Sequence, residues 1–114
     1  APALLSPDRA LCLEPEACRF TRHGQAIELT ATEFRLMEVF LAHPGRVFSR
    51  LDLVRVALGE DFVGSDRTVD AHIKNLRHKV EEDPRQPRWI ATVHGFGYRL
   101  ESGGGSGPRP GGIS

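Results

Sequence analysis

The chain has 114 residues, 39% hydrophobic and 26% charged, with a formal net charge of zero. That suits one small globular domain with a modest core. It excludes a membrane-spanning helix, since no apolar run approaches the roughly 18 residues needed, and Ala1 to Asp8 lack the basic start and long apolar stretch of a secretory signal.

Residues 1–8 read as a linker, and the absence of an initiator Met suits a piece cut from a longer protein. Residues 9–101 read as the folded domain. From Ala10 to Leu29 the segments "ALCLEP", "ACRFTR" and "QAIELT" alternate at period two between turn residues. They predict three or four short antiparallel strands. Cys12 and Cys18 are too few for a disulfide framework and, without a secretory signal, point to a reducing cytoplasm. Two small buried apolar side chains are the expected role for them. The five histidines show no metal-ligand spacing near the cysteines, so no metal and no cofactor is expected.

The period then changes to that of a helix. Thr30 and Glu33 fit a capping box, and Phe34, Met37 and Leu41 follow at helical spacing, with Leu36 and Phe40 beside them. His43-Pro44-Gly45 stops this helix. A second begins at Ser49, with Asp52 in its first turn and Leu51, Val54 and Leu58 as its apolar stripe, and ends at Gly59. After a polar loop, Ser65 or Asp66 can cap a third helix, roughly Arg67 to Glu82. Two strand-like runs, "WIATV" and "YRL", flank "HGFG", a tight hairpin loop. Residues 102–114, rich in Gly, Pro and Ser, predict a disordered tail. Small sheet, three helices and a hairpin together suggest an α+β helix-turn-helix variant carrying a wing.

Charge is unevenly spread. Residues 1–66 carry seven Lys and Arg against ten Asp and Glu, while residues 67–114 carry eight against five. The second half therefore suits an anionic partner. On a helical wheel, Val69, Ile73, Leu76 and Val80 form an apolar arc. Arg67, Ala71, Lys74, Asn75 and His78 collect opposite, Arg77 and Lys79 flank them, and His72 lies between the faces. Arg and Lys neutralise phosphates and read guanine edges, Asn can bind adenine at two points, and a small Ala lets the helix come close to a groove floor. A solvated cationic face is the plainer role for such residues. Arg77 can instead pair along its own helix with Asp70 or Glu81. The tip His94-Gly95-Phe96-Gly97 is short enough to enter a minor groove; alternatively it is only a turn, with Phe96 packed on the domain.

"RTVDAHIKNLRHKVEEDPRQPRWIATVHGFGYRL", together with "LTATEFRLMEVFLAHPGRVFSRLDLV" upstream, resembles the effector domain of OmpR/PhoB-type bacterial response regulators from about Leu11 to Leu100. The resemblance implies a winged helix-turn-helix with an N-terminal four-stranded antiparallel sheet, three helices and a C-terminal β-hairpin wing. It implies transcription control by sequence-specific binding to double-stranded promoter DNA, as two protomers on tandem repeats. The third helix, 67–82, would enter the major groove and the wing, 93–98, the minor groove. Arg67, Thr68, His72, Lys74, Asn75 and Arg77 fall where such domains contact DNA. Ser49 and Arg50 fall where the second helix meets phosphate, and its exposed N–H groups suit an anion. Thr92, Gly95 and Tyr98 fall around the wing. The loop 59–66 corresponds to a segment that meets RNA polymerase in some relatives. Two positions depart from the pattern: His94 stands where Arg is usual, which makes wing affinity pH-dependent, and Leu58 stands where Trp often precedes the loop. A phosphorylatable receiver domain, which precedes such effector domains, is absent from this chain.

Two other functions compete with DNA binding. A protein-docking module is favoured by the zero net charge. An enzyme is disfavoured, because the chain has no Gly-rich phosphate loop, no His-Glu metal motif and no Ser elbow to accompany "HGFG".

Overall fold

The computed structural model describes residues 2–59 and 67–101, with backbone alone at 58 and 67. Four short strands, β1 (Leu4–Leu5), β2 (Leu11–Glu14), β3 (Arg19–Arg22) and β4 (Gln25–Ala26), form an antiparallel sheet in that order. Period-two alternation puts Leu11, Leu13 and Phe20 on the buried face, with Leu13 opposite Phe20. The segment expected as a linker supplies the edge strand, Leu4 pairing with Leu13. Asp8 is also held, accepting from the Trp89 indole at 2.9 Å. Both contacts join residues distant in sequence, so local patterning could not reveal them. Neither cysteine is buried: Cys12 is half-buried, and Cys18 lies exposed in the β2–β3 turn at φ 50°.

Helix α1 (Ala31–Ala42) starts as expected. Thr30 Oγ1 accepts from Glu33 N–H, and Glu33 Oε1 accepts from Thr30 N–H. Glu33 Oε1 also accepts from Lys79 Nζ at 2.6 Å. Burial alone would raise the Glu33 carboxyl, but the Lys79 and Thr30 bonds outweigh it and hold it below the ordinary carboxylate range. Glu33→Ala is therefore expected to lower stability by about 1–2 kcal/mol, chiefly the lost cap, because Lys79 is exposed and its ammonium returns to water. Urea unfolding checks this; a loss under about 0.5 kcal/mol, the usual surface effect, would refute it.

Helix α2 (Arg50–Leu53) begins at a second reciprocal box between Ser49 and Asp52, then widens into a π-helical segment, Val54–Leu58. Gly59 N–H bonds Val54 O at 3.0 Å, five residues back. Leu53 and Ala57 are buried and Val54 of the expected stripe is half-buried against the core, but Leu51 is exposed, and the Leu58 side chain lies outside the described residues. The cause is the connector before it. Phe48 exchanges two backbone hydrogen bonds with Tyr98, at 2.8 and 2.9 Å, and is itself buried. This pins the entry to α2 and turns residues 53 and 57 inward.

Helix α3 (Arg67–Val80) buries Val69, Ile73, Leu76 and Val80, the arc read from its periodicity. It stops at Val80, two residues short of the expected end, because Arg22 Nη1 caps the Val80 carbonyl at 2.7 Å and Glu81 turns into the protein. The wing pairs β5 (Ile90–Val93) with β6 (Gly97–Leu100). Gly97 belongs to β6, which leaves His94, Gly95 and Phe96 as the tip. The core lies where α1, α3, the first sheet and the wing meet, around Leu36, Phe40, Leu76, Trp89 and Leu100. Among the described residues no helix is long and apolar enough to cross a membrane.

Candidate nucleic-acid interface

The apolar arc of α3 faces the core, so the remainder of the helix must face out. Ala71, Lys74, Asn75 and His78 are exposed, and Thr68 and His72 are half-buried at the edges. Arg67 begins the helix, but its side chain lies outside the described residues, as do the caps Ser65 and Asp66 and the loop residues 60–66. The outward face is thus a short polar and cationic strip, and Lys79 is drawn off it to Glu33.

Three ties set this strip relative to the wing. The Arg77 guanidinium donates to Ile90 O at 2.9 and 3.1 Å and to Thr92 Oγ1 at 2.7 Å, and sits 5.5 Å from the Tyr98 ring centroid. Arg77 therefore bonds across to β5, while its charge also acts on the Glu81 carboxyl four residues on. Tyr98 is buried, and its hydroxyl donates to Asp70 Oδ1 at 2.6 Å. Burial first, and the Asp70 bond second, push the Tyr98 phenol above its ordinary range, which keeps it a donor. The same Asp70 oxygen accepts from Arg50 Nε at 2.9 Å. One carboxylate oxygen thus joins α2, α3 and β6. Below it, Glu81 accepts from the backbone N–H groups of Arg88, Trp89 and Ile90, fastening the end of α3 to the start of β5.

The sequence-predicted residues divide accordingly. Ala71, Lys74, Asn75 and His78 stand clear on α3, and His94 and Gly95 stand exposed on the wing tip. Arg77, Thr92, Tyr98 and Arg50 come together as the frame between helix and wing. Ser49 is half-buried; its hydroxyl accepts from Asp52 N–H and its own N–H donates to Asp52, so the anion-binding donors expected there are in part satisfied internally. Phe96 does not pack on the domain; it is exposed. Asp70 and Glu81 were overlooked as organisers. The sequence signal was limited to acids on a cationic helix, whose partners lie far along the chain. A cleft of about 490 Å³ opens between the start of α2 and the wing, lined by Ser49, Arg50, Leu51 and residues 92–98.

Residues 24–100 match the family model described as "Transcriptional regulatory protein, C terminal". The chain is 48% identical over 90 residues to a probable transcriptional regulatory protein of Picosynechococcus sp., a match covering 79% of this chain and 36% of that relative. It therefore spans little more than a third of that protein's length. The response regulator DrrB of Thermotoga maritima, an OmpR/PhoB homologue, superposes with a TM-score of 0.73 at 33% identity, covering 81% of this chain and 42% of that one. The RstA DNA-binding domain of Klebsiella pneumoniae, solved in complex with its RstA box, gives a TM-score of 0.72 at 27% identity, covering 82% and 92%. With its helix strip and wing held in one frame and this match running from β4 through the wing, the chain belongs to the C-terminal domain family of transcriptional regulatory proteins of the OmpR/PhoB response-regulator type.

Proposed function

We propose that this domain binds double-stranded promoter DNA sequence-specifically, as the effector part of a two-component response regulator, with α3 in the major groove and the wing at the minor groove. The observation that carries the reading is the strip of exposed Ala71, Lys74, Asn75 and His78 held at a set angle to an exposed wing tip. A helix presenting Lys and Asn outward suits phosphate and base-edge contacts. The DNA complex of the RstA domain, of the same fold, supports the same use here. Thr68 and His72 join the contact set at the edges of the strip, and Arg67 joins it from its place in the motif. Arg77, Thr92, Tyr98 and Arg50 serve mainly to hold helix and wing together, while Ser49, His94 and Gly95 approach the backbone and minor groove.

In this reading the domain is a binding module in the cytoplasm and not an enzyme. Two copies bind tandem repeats, an upstream receiver domain governs them, and the loop 59–66 meets RNA polymerase. The test is selection of the 114-residue chain on a random duplex pool, with the winner titrated at two salt concentrations. The expected result is an enriched motif, repeated about one helical turn apart. No enrichment would refute the reading. On the enriched duplex, Asn75→Ala is expected to cost about 1–3 kcal/mol and relax one base position. Lys74→Ala is expected to flatten the log-affinity against log-salt slope by about one unit while leaving sequence preference unchanged. Equal loss at every sequence for Asn75→Ala, or an unchanged slope for Lys74→Ala, would remove that residue from its role.

A further inference from the structure

We infer that the cleft between α2 and the wing takes one sugar–phosphate strand of the duplex, and that Leu51 and Phe96 are apolar walls packing on its deoxyribose rings. This rests on the reading of α3 in the major groove and the wing in the minor groove. If those elements occupy neighbouring grooves, the strand dividing the grooves has to pass between them. Beside α3 that strand meets the cleft lined by Ser49, Arg50 and Leu51 of α2 and by the wing residues 92–98, two of whose walls, Arg50 and Tyr98, bond Asp70 of α3.

Its lining has two chemistries. Ser49, Arg50, Thr92 and His94 are polar and suit phosphate oxygens. Leu51 and Phe96 are apolar and exposed, at 51% and 72%. Four large hydrophobic residues are exposed among the described residues, and these two line the same cleft. Leu51 lies in the first turn of α2, beside the Ser49–Asp52 box. Phe96 N–H bonds Val93 O at 2.9 Å, and the next residue, Gly97, lies against the backbone of Phe48 and Ser49. The wing tip, His94, Gly95 and Phe96, holds no Lys or Arg. Apolar contact with sugar faces offers the wing a source of affinity that needs no charge.

Sugar packing carries no sequence information and releases no counterions. That separates it from both phosphate contact and base reading. The test titrates the 114-residue chain on the enriched duplex and on a random duplex of equal length, at several salt concentrations. Phe96→Ala and Leu51→Ala are each expected to weaken binding about fivefold to tenfold, as loss of a few tens of Å² of apolar contact implies. The loss should be equal on both duplexes, with the salt slope unchanged, and Phe96→Leu should recover most of it. Thermal unfolding midpoints should match the unsubstituted chain, since both side chains are exposed.

Unchanged affinity in both alanine variants would overturn the inference. So would a loss confined to the enriched duplex, which would mean that the ring reads base edges, or a slope lowered by about one unit, which would mean a displaced phosphate contact. Failure of the unsubstituted chain to enrich any duplex would instead remove the DNA-binding reading beneath it.

Discussion

Gly97→Ala is expected to lower the stability of the domain by roughly 3–5 kcal/mol, a large share of the roughly 5–15 kcal/mol typical of such domains. Gly97 adopts φ 150°, and a Cβ there would fall on the Phe48 carbonyl oxygen, 2.8 Å from Phe48 C and 2.9 Å from Ser49 Cα. These neighbours are backbone, so no side-chain rotation relieves the clash. The wing must move off the connector, straining or breaking the two Phe48–Tyr98 hydrogen bonds. Backbone strain costs about 1–3 kcal/mol and each lost bond about 1 kcal/mol net. Gly95→Ala is the control: it has φ 85° but nothing within 4 Å of the added atom, so only about 1–2 kcal/mol of conformational strain applies. Urea unfolding of both variants decides the matter. Equal losses would mean that the close approach at Phe48 does not fix the wing. A Gly97→Ala protein that remains folded should also bind duplex more weakly, because Tyr98 carries the tie to Asp70.

Glu81→Ala is expected to cost about 3–5 kcal/mol. Its carboxylate is 3% exposed and accepts from Arg88 N–H at 2.6 Å, Trp89 N–H at 3.0 Å and Ile90 N–H at 2.7 Å. Trp89 and Ile90 are buried, so alanine leaves donors without an acceptor, at about 1–3 kcal/mol each. A loss under about 1 kcal/mol in urea unfolding would show that the hairpin entry closes without this carboxylate. The pH dependence has a definite sign. Burial pushes the Glu81 carboxyl above its ordinary range despite the three N–H bonds. Folding therefore favours its protonated form, so its contribution is full below the unfolded pKa and is lost as pH rises through the folded one. For Asp8 and Glu33, burial raises but bonding outweighs it, and they lie below their ordinary range. Their contribution is present above the unfolded pKa and lost as pH falls. Acidification from about pH 6 to pH 3 should thus destabilise the domain on balance, with Glu81 opposing the loss. Glu81→Gln should make that fall steeper; a shallower fall would reverse the assigned direction.

Much of the architecture was legible because its signals are local. The capping boxes at Thr30–Glu33 and Ser49–Asp52 join residues three apart, and the arc of Val69, Ile73, Leu76 and Val80 repeats at helical spacing. The motifs from Arg67 to Leu100 carried the family. The outward strip of α3 followed by subtraction, since a helix with a buried arc has to present its other residues to solvent.

The sequence by itself therefore determined the element types, most of their starts, the core face of α3 and the family. Tertiary structure decided which polar residues stand free and which form the frame. Arg50 and Tyr98 reach Asp70 from 20 and 28 positions away, Lys79 reaches Glu33 across 46, and Arg22 reaches the Val80 carbonyl across 58. Helix periodicity treats Arg77 and Lys74 alike as outward cations. Only the arrival of β5 beside α3 turns Arg77 into a tie to Ile90 and Thr92. In the same way, the pairing of Phe48 with Tyr98 turned α2 so that Leu53 faces the core and Leu51 faces the cleft. Local patterning reports a residue's own turn or strand, whereas such partners are set by the packing of elements that meet only once the chain has folded.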